Sequence, residues 1–199
     1  MRNLSSIVDE IQAHMEELEV KRELSLAMSR QIVRKTKRVI HSLHKGEHYH
    51  EVLLQAEQEM RELEESLRDS PQIWNSGAVY DAMMELAEAA ILVAVIEDRP
   101  LPTPQELHVQ PASWVLGLGD AIGEMRRRTL DLLRDDDTDG AEAMLLSMEE
   151  LFAALLSFDS PDAILPARRK QDVARSLLEK TRADVTANAV MRRSREHRS

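Results

Sequence analysis

The stretch YDAMMELAEAAILVAVIE, residues 80–97, decides how the rest of the sequence is interpreted. It contains neither Gly nor Pro, and its residues favour a helix. Because the stretch is apolar on nearly every side, most of the helix circumference is expected to be buried. Between Asp81 and Glu97 the only charged residues are Glu85 and Glu88, which share one helical face. A buried helix with two carboxylates on one face requires an explanation.

The composition indicates one soluble helical domain covering residues 1–199. The chain is 43% hydrophobic and 31% charged, which is ordinary for a protein with a buried core. Aromatic residues make up only 3%, and there are 6 Gly and 7 Pro in 199 residues, so few positions favour strands or break helices. These proportions favour an all-α fold.

The sequence also indicates the cellular compartment of the protein. Cysteine is absent, which excludes disulfides and thiolate chemistry and fits a reducing cytosol. The first residues lack the apolar segment of a signal peptide. The longest uncharged apolar run is far shorter than the ~20 residues of a membrane span. We therefore expect a cytoplasmic protein without a membrane segment.

Hydrophobic periodicity and helix-breaking residues predict an antiparallel bundle of six helices. The first helix would run for roughly 40 residues before Gly46. The others are expected at about residues 52–67, 77–98, 111–134, 141–158 and 168–191, and a basic tail at 192–199 is expected to fray. A proline-rich connector lies between the third and fourth helices.

A second carboxylate pair lies on the predicted helix 111–134. Asp120 is the only charged residue between Val109 and Gly123, and Glu124 follows one turn later on the same face. Four carboxylates in apolar surroundings repel one another unless a cation lies among them. Oxygen ligands without Cys or His favour Mg²⁺ or Mn²⁺. From the pattern alone, a metal site and a solvated stripe paired with the arginines at 126–128 both remain open.

The second pair lies within a more specific motif. The sequence WVLGLGDAIGEMR, residues 114–126, follows the proline-rich connector and the E-x-x-E pair. Together they resemble the translin family, in particular its Trax (translin-associated factor X) branch. The resemblance extends over most of residues 20–190, although the tyrosine usual between the two glutamates is replaced in ELAE.

The resemblance implies a translin bundle of about seven helices that assembles into a homo-oligomer, often an octamer, around single-stranded nucleic acid. Trax-type members are Mg²⁺-dependent endoribonucleases. Their acidic residues match Glu85, Glu88 and Asp120 here, with Glu124 as a fourth metal ligand. We therefore expect Mg²⁺, with Mn²⁺ as the alternative metal, and single-stranded RNA or DNA as the partner.

Basic residues are concentrated near the end of the first predicted helix, although the net charge of the chain is −10. A stripe of six residues recurs there at helical spacing and is our candidate for nucleic-acid contact: Arg30, Arg34, Lys37, Arg38, His41 and Lys45. Taken alone, such a stripe is also typical of a solvated face. Four histidines between positions 41 and 50 are expected to be solvent-exposed.

The sequence leaves three candidate functions. The first is a metal-dependent endoribonuclease on single-stranded RNA, and the second is a non-catalytic oligomeric RNA- or DNA-binding protein. The third is an all-α nucleoside triphosphate pyrophosphohydrolase, which also uses E-x-x-E on one helix. The second acidic motif of that class is normally E-x-x-D at a shorter distance, which argues against it. RNA fragments, bound but intact RNA, and pyrophosphate distinguish the three.

Overall fold

The fold is an all-α bundle, as predicted from the sequence. The computed structural model describes residues 3–196, with side chains described to residue 192. Its helices are α1 (Leu4–Lys45), α2 (His50–Ser66), α3 (Pro71–Trp74), α4 (Gly77–Ile96), α5 (Pro111–Arg134), α6 (Thr138–Leu156) and α7 (Arg168–Glu196). Residues 3–196 contain no strand.

The six long helices match the predicted ones to within a few residues, and α3 was not predicted. A single turn beginning at a proline leaves no periodic signal. Helix α7 extends into the basic segment that was expected to fray, and residues 197–199 of that segment lie outside the described residues. Fraying of 192–199 therefore stays a prediction.

The chain forms two successive three-helix units, α1–α2–α4 and α5–α6–α7. Within each unit the middle helix runs antiparallel to its neighbours, as in the contacts of Gln171 with the end of α6 and of Arg182 with Glu149. By contrast, α4 and α5 run parallel. Met83 meets Ser113, and Glu88, further along α4, meets Gly117, further along α5.

The connector 97–110 makes this parallel arrangement possible. It carries the chain back along the bundle from the end of α4 to the start of α5. Leu107 and Val109 of the connector are buried, and the indole Nε1 of Trp114 donates a 2.9 Å hydrogen bond to the carbonyl of Pro102. These contacts fix the connector. As a result, α4 of the first unit packs against α5 of the second.

Helix α4 is apolar all round because it lies between α1 and α5 and also touches α2 and α3. Leu86, Ile91 and Leu92 are fully buried among these helices. Despite this, no helix in residues 3–196 combines the length and apolar content needed to cross a bilayer. The polar exceptions on α4 lie on the side where α1 and α5 approach it.

The first four turns of α1 behave differently from the rest of that helix. Buried residues on α1 begin only at Ser25. In residues 4–15 five large apolar side chains are 41–56% exposed: Leu4, Ile7, Val8, Ile11 and Met15. This apolar segment of α1 therefore lacks packing partners within the described chain.

Candidate functional site

Two glycines of the motif on α5 bring three helices together. A Cβ on Gly117 would lie 2.6 Å from the carbonyl oxygen of Met84 and 2.9 Å from the backbone nitrogen of Glu88, so only glycine permits this contact with α4. On the other side, a Cβ on Gly119 would lie 3.0 Å from the Cβ of Lys170 on α7. Asp120 follows directly and therefore lies where α4, α5 and α7 meet.

Glu88 is the centre of the carboxylate cluster. Burial, and to a smaller extent the charges of Asp120, Glu85 and Glu124, together raise the pKa of Glu88 to about 8 against the opposing effect of Lys170. Its carboxylate has no hydrogen bond or ion pair to any other described residue. The four predicted metal ligands are thus close enough to interact electrostatically, and Glu88 holds its proton more tightly than a solvated glutamate does.

The other three carboxylates each face a cationic side chain. Asp120 accepts a hydrogen bond from the ammonium of Lys170. Glu85 lies 3.8 Å from Nζ of Lys37, but burial still raises the pKa of Glu85, and the nearby carboxylates add to this effect. The cluster is therefore held together by lysines from α1 and α7.

Glu124 is paired with a histidine from the end of α1. Its Oε2 lies 2.7 Å from Nε2 of His44 and 3.7 Å from a guanidinium nitrogen of Arg127. The hydrogen bond to His44 is the main cause that lowers the pKa of Glu124. The expectation that the histidines of this junction are exposed is wrong for His44, whose side chain is only 3% exposed, because the ring is enclosed between α1 and α5.

The chemistry of the cluster fits a hard divalent cation, although its side chains are not arranged as a finished shell. No group of three or more His, Asp or Glu within residues 3–196 is already arranged to hold a metal ion. The lysines and His44 take up carboxylate oxygens that a cation would need. Glu88, with no partner and three acidic neighbours, is the group whose ionisation a divalent cation would most favour.

Two adjoining pockets lie between α1 and α4, and the smaller one is also lined by α5. One of about 360 Å³ is bordered by Glu85, Glu88 and Glu124, with Lys37, His41 and Arg127 at its rim. The other, of about 600 Å³, lies nearer the start of α4 and is bordered by Arg30, Arg34, Lys37 and Glu85 among others. Lys37 and Glu85 line both pockets, so the two form one continuous groove, the α1–α4 groove. Part of the basic stripe lines this groove together with Glu85, Glu88 and Glu124, whereas Asp120 lines neither pocket.

The remaining stripe residues are exposed but lie elsewhere. Arg38 lines a pocket beside the α1–α2 junction, and Lys45 lines neither wall of the α1–α4 groove. The stripe therefore does not lie on one wall, because Arg38 is directed towards the start of α2. Four of the six residues proposed for nucleic-acid contact stay next to the carboxylates.

Sequence reasoning missed two partners of the cluster, Lys170 and His44. Lys170 is fifty residues away from Asp120 in the chain, and no local pattern links them. A signal for His44 was present, since it follows Lys37 by two helical turns and therefore shares its face. Because the neighbouring residues of the α1–α2 junction are polar, His44 was expected to be solvent-exposed like them.

The chain is similar in sequence to a known protein along most of its length. No protein-family model matches the chain. The uncharacterized protein MJ0175 of Methanocaldococcus jannaschii is 31% identical over 180 residues, which cover 88% of this chain and 80% of the relative.

Solved structures are similar over nearly the whole chain. A crystal structure of AfC3PO is 34% identical with a TM-score of 0.79, over 93% of this chain and 98% of that one. An AfC3PO–duplex RNA complex is 33% identical with a TM-score of 0.77, over 93% and 97%. Apo-NeC3PO, at 20% identity, shares the fold with a TM-score of 0.81, over 91% and 96%. This likeness confirms the resemblance inferred from sequence, and the chain belongs to the translin/C3PO family.

Proposed function

We propose that the protein is a Mg²⁺-dependent endoribonuclease that cleaves single-stranded RNA. The observation that carries this proposal is Glu88, an unpartnered carboxylate whose pKa is raised to about 8 and which three acidic neighbours surround. A structural cluster would pair each acid with a base. Here one acid is left without a partner beside a groove with a basic rim, as expected of a site that takes up a divalent cation and a phosphate.

In this proposal Glu85, Glu88 and Asp120 hold the cation and Glu124 is the fourth carboxylate. When bound, Mg²⁺ or Mn²⁺ would polarise a phosphoryl oxygen and supply hydroxide at neutral pH. The contribution of the chain is to keep these carboxylates in poor solvent, so that a cation binds them more strongly than it would in water. Lys37 and Arg127 at the rim are placed to attract the phosphate.

The RNA partner is supported by the basic rim and by one relative. Arg30, Arg34, Lys37 and His41 line the groove that contains the carboxylates. The AfC3PO complex contains duplex RNA, so a duplex is the necessary comparison with the single strand that we propose. Single-stranded DNA is a further candidate, because contacts to phosphates alone do not distinguish the sugars.

We further propose that the protein works as a homo-oligomer in the cytoplasm. The five exposed apolar side chains at the start of α1 support assembly, because a contiguous apolar face is costly to leave in water. The number of eight subunits rests on the family resemblance. The cytoplasmic location rests on the cysteine-free sequence.

A product assay separates this function from the two alternatives. Labelled single-stranded RNA, duplex RNA and single-stranded DNA are each incubated with the protein in Mg²⁺ or in chelator, and nucleoside triphosphates are tested in parallel. We expect RNA fragments from the single strand in Mg²⁺ only. RNA that is bound but uncut would favour the non-catalytic binder, and released pyrophosphate would favour the pyrophosphohydrolase.

A further inference from the structure

The larger pocket of the α1–α4 groove has a wall that phosphate binding does not explain. Val33 on α1 and Ala78 and Met84 on α4 provide an apolar surface inside a volume of about 600 Å³. Volumes of this size accommodate small organic ligands, and flat apolar surfaces suit aromatic rings. A site for phosphate alone would need neither the volume nor the apolar wall.

Three polar side chains of this pocket have no partner in the described chain, although Lys37 and Glu85 form an ion pair on its wall and Asp81 also lines it. Arg30 and Arg34 are exposed and form no ion pair with any described residue, although the chain is acidic overall. The hydroxyl of Ser29, a residue 2% exposed on the same wall, has no hydrogen-bond partner in the described chain. Unpaired guanidinium groups beside an apolar wall offer stacking and phosphate contacts together.

The position of the pocket relates it to the proposed cleavage site. Lys37 and Glu85 line both this pocket and the one that contains Glu88. Ala78 and Glu88 lie on the same helix about 15 Å apart along its axis, at about 1.5 Å per residue. A nucleotide strand running along α4 would therefore place a base in the larger pocket while a nearby phosphate reaches the carboxylates.

From the apolar wall of Val33, Ala78 and Met84, the unpaired arginines and the continuity with the carboxylates, we infer that this pocket binds one unpaired nucleobase of the RNA. The inference rests on the proposed function for its substrate class. It deepens that function, because a base must be unpaired and unstacked to enter, which favours single-stranded over duplex RNA. Arg30 and Arg34 hold the base and the adjoining phosphate.

An abasic scan tests this subsite without altering the protein. Short single-stranded RNAs, each with one base removed at a different position, are titrated with wild-type protein in chelator, so that binding is measured without cleavage. Loss of one stacked base is expected to weaken binding between about 5-fold and about 150-fold. We expect this loss at one position in the strand, and a series with equal affinities would overturn the inference.

A pocket-filling variant provides the second arm. Ala78→Phe is expected to occupy the apolar space, to weaken binding of intact RNA by a similar factor and to abolish the position dependence of the abasic series. Ala143→Phe on the exposed surface of α6 is the matched control and should bind as wild type does. An Ala78→Phe protein with wild-type affinity and an unchanged abasic profile would contradict the subsite.

The two proposals fail in different ways. If Mg²⁺ yields no fragments but the abasic profile has its single weak position, the nuclease proposal fails and the base subsite stands. If fragments form but the profile is flat, the subsite fails and the nuclease stands. A wild-type protein that binds no single-stranded RNA would overturn both.

Discussion

Replacing Glu88 by Gln should stabilise the protein in the absence of metal, and increasingly so as the pH rises. The pKa of Glu88 is raised from 4.5 to about 8 in the folded protein. Between these values the folded state retains a proton that the unfolded state has lost, so the free energy of unfolding falls with rising pH. Gln retains the shape of the side chain but has no proton to lose in this pH range.

The size of the effect follows from the two pKa values. At about 1.4 kcal/mol for each pH unit, the wild type loses about 3 kcal/mol relative to the variant by pH 7 and up to about 5 kcal/mol above pH 8. Below pH 4.5 both states of Glu88 are protonated, so the two proteins should have similar stability. These free energies are the contribution of Glu88 alone. Wild type and Glu88→Gln are therefore compared with each other at every pH.

Urea denaturation of both proteins in chelator, across pH 4.5 to 8.5, measures this difference. At each pH, the free energy of unfolding of the wild type is subtracted from that of the variant. This difference removes the contribution of the other titrating groups. Glu142→Gln on the exposed side of α6 is the control for replacing a glutamate by glutamine. A level difference for Glu88→Gln, or a wild type that gains stability relative to it as the pH rises, would refute the reasoning.

Three further predictions concern the pairing of Asp120 with Lys170, the close contact of α5 with α4, and assembly. Lys170→Ala should tighten Mg²⁺ binding, measured by calorimetry, by about tenfold. The substitution frees Asp120 and removes a positive charge whose repulsion of the cation is on the order of 1–4 kcal/mol. Unchanged affinity would exclude competition between the lysine and the metal. Gly117→Ala should cost about 1–3 kcal/mol in urea denaturation, since α4 must move away. By contrast Gly123→Ala, whose Cβ would meet nothing nearer than 3.7 Å, should gain about 0.5–1 kcal/mol, and equal effects would argue against the close contact. Ile11→Asp should reduce the mass seen by light scattering towards the 22.7 kDa of one chain, and an unchanged large mass would place the interface elsewhere.

Much of the fold could be predicted from local pattern. The apolar circumference of α4 indicated a central helix, and the proline-rich connector indicated where it ends. The two acidic faces could also be placed, because Glu85 with Glu88 and Asp120 with Glu124 follow helical spacing. The parallel arrangement of α4 and α5 could not be predicted, since it depends on how the connector 97–110 packs.

The charge pairing of the site was beyond local pattern for the same reason. The sequence indicated only that the four carboxylates repel one another. The structure instead pairs Asp120 with Lys170 and Glu124 with His44, and leaves Glu88 without a partner. These pairs join helices that are distant in the chain, so only tertiary packing determines them. The stability penalty is therefore expected at Glu88 rather than at Asp120.

The most direct test of the central claim is single-turnover cleavage of labelled single-stranded RNA by wild type and by Asp120→Asn, with RNA affinity measured in the same samples. The account predicts Mg²⁺-dependent fragments from wild type, and none from Asp120→Asn even though it binds RNA with affinity close to that of wild type. It would be contradicted by a wild type that binds RNA but produces no fragments in Mg²⁺, or by an Asp120→Asn protein that cleaves at the wild-type rate.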